Sequence, residues 1–251
     1  MLRKGDLTQG GIITTLLQFT LPMLAGSLLQ QCYNIADTLI VGQCIGANAL
    51  AAVGSAYTLM VFLISILLGL SMGSGTVFSL QYGAGDLSAL RRSIYVSLLL
   101  IGTVTILLNV AVFLWLDPIL RWLQVPYDIY SLMRNYLWII FWGIVFTFLY
   151  NFYAALLRAV GDSVTPLWFL AVSVVLNIGL DLFLILVLDQ GIEGAAVATV
   201  IAQGTAASGI LLYTYKTRPE LRLHREDMCF DRSSLREITS FSTLTCVQQS
   251  V

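Results

Sequence analysis

Charge is scarce in this sequence. Only 11% of its 251 residues are charged, against about 25% in a typical soluble domain. That shortage excludes an ordinary water-soluble domain. Histidine is nearly absent: the one copy, His224, stands in a charged stretch with no partner pattern. The four cysteines, Cys32, Cys44, Cys229 and Cys246, have neither CxxC nor metal-ligand spacing and read as packing residues or free thiols. The glycine-rich run Gly69 to Thr76 lacks the lysine of a phosphate loop and the strand that precedes one. No nucleophile–base set is present, so the chain does not read as an enzyme. No nucleic-acid surface is present either, and no cofactor is expected. The first apolar run leads into a full-length span without a small-residue cleavage site.

What fills the chain is hydrocarbon, 58% of residues, in long runs. Six runs are long enough to cross a bilayer, which takes about 20 residues at 1.5 Å each. They are 12–41, 49–82, 93–115, 129–157, 165–188 and 191–213. The first is longer than a bilayer requires and holds Pro22, so tilting or bending is expected. The second carries Gly69, Gly73 and Gly75, which permit close helix contact. The fourth holds Trp138, Trp142, Tyr150 and Tyr153, which read as packing aromatics. In the sixth, Gly194, Ala198 and Ala202 form a small-residue row suited to tight packing. The expected architecture is all-α, a polytopic transmembrane bundle. Residues 1–215 form a six-helix lobe, 216–237 a charged cytoplasmic loop, and 238–251 the start of a seventh helix cut short.

Lysine and arginine set the orientation. Eleven of the thirteen fall on the side of the N-terminus, and only Arg121 and Arg134 fall on the other. The positive-inside rule then puts the N-terminus in the cytoplasm. The last apolar stretch, 238–251, is shorter than a span. Its Cys246 to Ser250 faintly echoes Leu28 to Cys32, so a second half that repeats the first is expected.

The polar residues inside the spans are few and ordered. On the fifth run Ser173, Asn177 and Asp181 lie four apart and stack on one helical face. On the first run Gln30, Tyr33, Asn34 and Asp37 share a face in the same way. Both runs travel in the same direction, so the two aspartates lie at similar depth in the outer half of the bilayer. Of the fourteen acids they alone lie in span interiors, and the other twelve fall in loops or at span ends. A carboxylate there costs a few kcal/mol or more and usually faces a protein cavity. Two such acids with amide neighbours are suited to one cation. The carbonyls of Asn34 and Asn177 can bond a protonated acid or ligate a metal ion, so a proton and Na⁺ both suit a site at Asp37, Asn177 and Asp181. The competing structural role is helix gluing by hydrogen bonds, which a neutral Asn or Ser would perform at lower cost.

Several stretches in this order resemble the multidrug and toxic compound extrusion (MATE) family of transporters, bacterial type. They are Pro22 with Gln30 to Gly42, Gly83 to Asp86, Arg158 to Pro166, Leu176 to Asp181 and Gly194 to Thr199. The likeness runs through the whole chain but covers only about half of the family's twelve spans. It implies an antiporter exporting amphipathic organic cations or drugs in exchange for H⁺ or Na⁺. It implies cation binding by Asp37, Asn177, Asp181, Tyr33 and Thr199. It further implies a substrate cavity at Gln30, with Asn34 and Ser173 alongside, and a bending proline at Pro22. The implied partners are membrane lipid, the organic cation, and a missing C-terminal lobe or a second chain. The implied location is the bacterial cytoplasmic membrane. Two rivals stand beside this. One is a lipid-linked precursor flippase of the wider superfamily, which would want basic residues at span centres. The other is a truncated, non-transporting lobe.

Overall fold

Long apolar stretches with little to interrupt them form long helices. In the computed structural model, which describes residues 12–227 and 232–250, all regular structure is helical. The helices are α1 (Ile12–Cys44), α2 (Ala47–Gly83), α3 (Leu87–Trp122), α4 (Tyr127–Trp142), α5 (Ile144–Ala159), α6 (Val164–Leu182), α7 (Gly191–Thr217) and α8 (Arg232–Ser250). A π turn, Phe183–Val187, extends α6. Single 3₁₀ turns at Pro219–Leu221 and Arg225–Asp227 come after α7. The polar lead 1–11, with Arg3 and Lys4, lies outside the described residues, as do 228–231, which hold Cys229, and Val251.

Four of these helices are long and apolar enough to cross a membrane: α2, α3, α6 with its π turn, and α7. The pair α4–α5, bent by 47°, makes a fifth if counted as one span. Among the described residues, α1 is not in that group. Its 33 residues reach about 50 Å, ample for a bilayer, and it lies along α6. The six expected spans are therefore reached with α1 included.

Local chemistry explains where the helices break. The fourth run, expected as one helix, divides at Gly143. A Cβ there would lie 2.8 Å from Val200 Cγ2 and 3.1 Å from the Ile140 carbonyl oxygen, so only glycine lets α7 approach this closely. The break frees carbonyls. The amide of Asn109 on α3 satisfies one of them, donating from Nδ2 to the Phe141 oxygen at 2.9 Å. In α3 the backbone leaves helical geometry at Trp115, three residues before Pro118. Proline lacks the N–H and clashes with the carbonyl four residues earlier. The third run thus does not end near Trp115, as the hydropathy pattern implied, but bends there and continues to Trp122.

The main core joins α2, α3, α4 and α5 through Leu67, Phe78, Leu90, Ile101, Met133, Phe141 and Phe152, among others. Phe78 meets Phe152 edge-on with centroids 5.9 Å apart. Between spans the surrounding lipid is as apolar as the side chains, so close packing rather than water exclusion holds helices together. The row Gly194, Ala198 and Ala202 is buried accordingly. A Cβ on Gly194 would come within 3.1 Å of Leu184 Cβ.

The segment after α7 is less of a loop than its charge implied. Arg218 is buried, and its guanidinium reaches Asp162 at 3.4 Å and Glu220 at 3.5 Å. Helix α8 begins at Arg232, inside the stretch expected as loop. It packs along α2 so tightly that a Cβ on Gly73 would run into the Ser242 backbone.

Candidate functional site

Four helices meet at one polar cluster. Helix α1 brings Tyr33 and Asp37, α6 brings Asn177 and Asp181, α7 brings Thr199, and α4 brings Tyr136. The four-residue spacing of Asn177 and Asp181 aims both inward from one face of α6, and both are fully buried. Asp37, one turn beyond Tyr33 on α1, is buried opposite them. The carboxyls of Asp37 and Asp181 lie within hydrogen-bonding reach of each other. The two acids read at similar depth on the first and fifth runs are thus side by side.

Thr199 is the hub. Its Oγ1 accepts from Tyr33 Oη at 3.2 Å and from Asn177 Nδ2 at 3.4 Å. The small residues flanking it on α7 bring this hydroxyl within reach of both α1 and α6. Around this hub several buried oxygens have no donor: Asp37 Oδ1, Asn177 Oδ1 and both carboxyl oxygens of Asp181. Buried acceptors without a donor are costly. Oxygens of this kind can accept a hydrogen bond or ligate a hard cation. Among the described residues there is no group of three or more His, Cys, Asp or Glu of the kind that holds a transition metal.

Other expected residues are placed differently. Ser173 is buried one turn before Asn177 on α6. Asn34 turns to Gln31 Oε1 at 3.2 Å and to the Tyr57 hydroxyl of α2 at 3.5 Å, rather than to the acids. Gln30 is exposed. Pro22 sits about three turns before Tyr33, inside an uninterrupted α1. Sequence reading missed Tyr136. It is buried and close enough to Asp37, Asp181 and Tyr33 to interact with each. Its only sequence signal was a tyrosine in an apolar run already rich in aromatics, which looked like packing.

Long apolar helices gathered around a pair of buried acids are the build of a multi-pass membrane protein. The chain belongs to the MatE family, whose model matches residues 22–183. It is 37% identical over 211 residues to the probable multidrug resistance protein YpnP of Bacillus subtilis, covering 84% of this chain and 47% of that protein. It is 31% identical to the multidrug export protein MepA of Staphylococcus aureus, covering 82% and 46%. Among solved structures it superposes on a MATE in the bent conformation with TM-score 0.91 at 23% identity, covering 99% of this chain and 56% of that one. An outward-facing multidrug resistance MATE family transporter of the MOP superfamily gives 0.89, also at 23%, with 98% and 53% covered. These structures share the fold. The chain spans about half the length of the relatives it matches. As a member of a transporter family it is not an enzyme.

Proposed function

We propose that this chain is the N-terminal half of a cation-coupled exporter of amphipathic organic cations. The observation that carries the reading is the juxtaposition of Asp37 and Asp181, with Asn177, Thr199, Tyr33 and Tyr136 around them. Two carboxylates in low dielectric repel when both are ionised, so a cation or a proton bound between them has high affinity. Coupling arises when the bound cation and the drug favour different conformations of the same lobe. Family membership and the multidrug relatives support drugs as cargo. The lysine and arginine asymmetry supports a cytoplasmic N-terminus in a bacterial plasma membrane. The exposed apolar residues of α1, among them Leu21, Leu24 and Leu28, support a face that meets lipid or a second lobe.

The test is transport in proteoliposomes of the full-length protein under imposed H⁺ or Na⁺ gradients, with ethidium as the probe. Asp37→Asn and Asp181→Asn are each expected to reduce gradient-driven efflux to background at normal expression. Efflux at the parental rate in both variants removes the mechanism.

A further inference from the structure

The acidic cluster needs a way to exchange its cation with one side of the membrane, and the structure offers a polar step beside it. One turn beyond Thr199 on α7 stands Gln203, on the same helical face. Its Oε1 accepts a hydrogen bond of 2.6 Å from Thr147 Oγ1 on α5. One turn beyond Tyr136 on α4 stands Ile140. Gln203, Thr147 and Ile140 all line a small crevice closed by Met60, Ile64, Phe141 and Ile144. Two helices that run in the same direction thus each lead, one turn on, from the acidic cluster to this crevice. Its volume is about 10 Å³, near the minimum for a single water. The step from Thr199 to Gln203 along the helix is about 6 Å, a gap that one bridging water spans. The crevice sits at the Gly143 break, with Phe141 and Ile144 lining it from either side. In the proposed orientation it lies on the cytoplasmic side of the acids.

We infer that Thr147 and Gln203 are positioning residues for the coupling cation, holding the water-filled step through which it passes between the Asp37–Asp181 cluster and the cytoplasmic half of the lobe. This rests on the cation-coupled reading. A hydroxyl and an amide oxygen serve a hydrated proton and Na⁺ alike. In a lobe whose neighbouring side chains here are Met, Ile and Phe, no other side chain lining the crevice offers an oxygen. A helix-packing role alone would make the pair matter for stability and not for the ion step.

The experiment uses the full-length protein in proteoliposomes, with ethidium as cargo and pyranine inside to read protons. The parent and Asp181→Asn are run first with an H⁺ gradient and then with a Na⁺ gradient. The gradient that drives the parent is used for Thr147→Val, Gln203→Leu, the double variant and Thr147→Ser. The inference requires at least a fivefold fall in maximal efflux rate in each hydroxyl- or amide-deleting variant. Ethidium affinity must stay within twofold, and the double variant must be no worse than the poorer single. Thr147→Ser must keep at least half the parental rate. A fall smaller than fivefold overturns it. So does a loss of ethidium affinity in step with the rate, which makes the pair a cargo contact. If neither gradient drives the parent, or Asp181→Asn transports normally, the coupled reading fails and this inference falls with it.

Discussion

Thr199 shows how much one side chain decides. Its oxygen accepts from two helices at once, so it fixes Tyr33 of α1 and Asn177 of α6 relative to α7. Thr199→Val keeps the shape and removes the acceptor. The buried amide of Asn177 and the half-buried hydroxyl of Tyr33 then lose their partner, at about 1–3 kcal/mol for a buried unsatisfied group. The expected result is a lower melting temperature in detergent together with reduced gradient-driven efflux. Thr199→Ser keeps the oxygen and is expected to restore both. A valine variant that melts with the parent would mean Thr199 is packing and no hub. The cluster members Asp37, Asn177 and Asp181 were legible because charge and amide groups inside apolar runs are rare and their spacing is helical. Tyr136 was not legible. A phenol in an aromatic-rich span carries no signal until the fold buries it within electrostatic range of the acids. Asn34 is placed away from the acids. It shares a sequence face with Asp37, yet Gln31 and the Tyr57 hydroxyl offered nearer partners.

At the scale of elements, hydropathy located the spans because each is a long apolar run and the bilayer sets its length. The break at Gly143 stayed hidden, since it depends on a neighbour. Gly143 is one glycine within an apolar run, and its meaning comes from Val200 pressing against it across the α7 contact. Gly143→Ala forces the methyl to within 2.8 Å of Val200 Cγ2, an overpacking that typically costs about 1–3 kcal/mol. A melting temperature several degrees lower is expected in detergent. The double variant Gly143→Ala with Val200→Ala is expected to recover most of the loss, because it clears the main obstruction. Equal melting of the single and double variants would place the cost in the backbone and not in the helix contact. The fourth span carries Tyr136 before this break and Thr147 after it, so the break sets the angle between the acidic cluster and the adjoining crevice.

At the scale of the whole molecule, the lobe spans about half of its relatives' length, and the charged connection after α7 is built into it. Arg91 at the start of α3 holds Asp227 at 2.9 Å. The His224 backbone N–H donates to the same Asp227 oxygen at 3.0 Å. Leu221, in the same segment, is buried in the core. Burial works against the charge on Asp227, but the His224 N–H, the Arg91 guanidinium and the His224 ring outweigh it and hold the carboxyl below the usual carboxylate range. A carboxyl whose folded-state value is lowered contributes stability that is present above its unfolded value and is lost as pH falls through the folded one. The docking of residues 218–227 is therefore expected to be firm at neutral pH and to loosen on acidification below the ordinary Asp range. His224 Nδ1 lies 3.4 Å from the same carboxylate oxygen. Limited proteolysis at the segment reads this directly, using an acid-active protease at the low end. The parent is expected to become cleavable only as the acid range is entered. Asp227→Asn cannot lose a charge it lacks, so it is expected to be cleaved readily at neutral pH with little further change below. A parent that is cut equally at neutral and acid pH would mean that the connection is not pinned by this carboxylate. Any motion of the lobe against its neighbour in the proposed transporter would then begin directly after Thr217, and not beyond the 218–227 clasp.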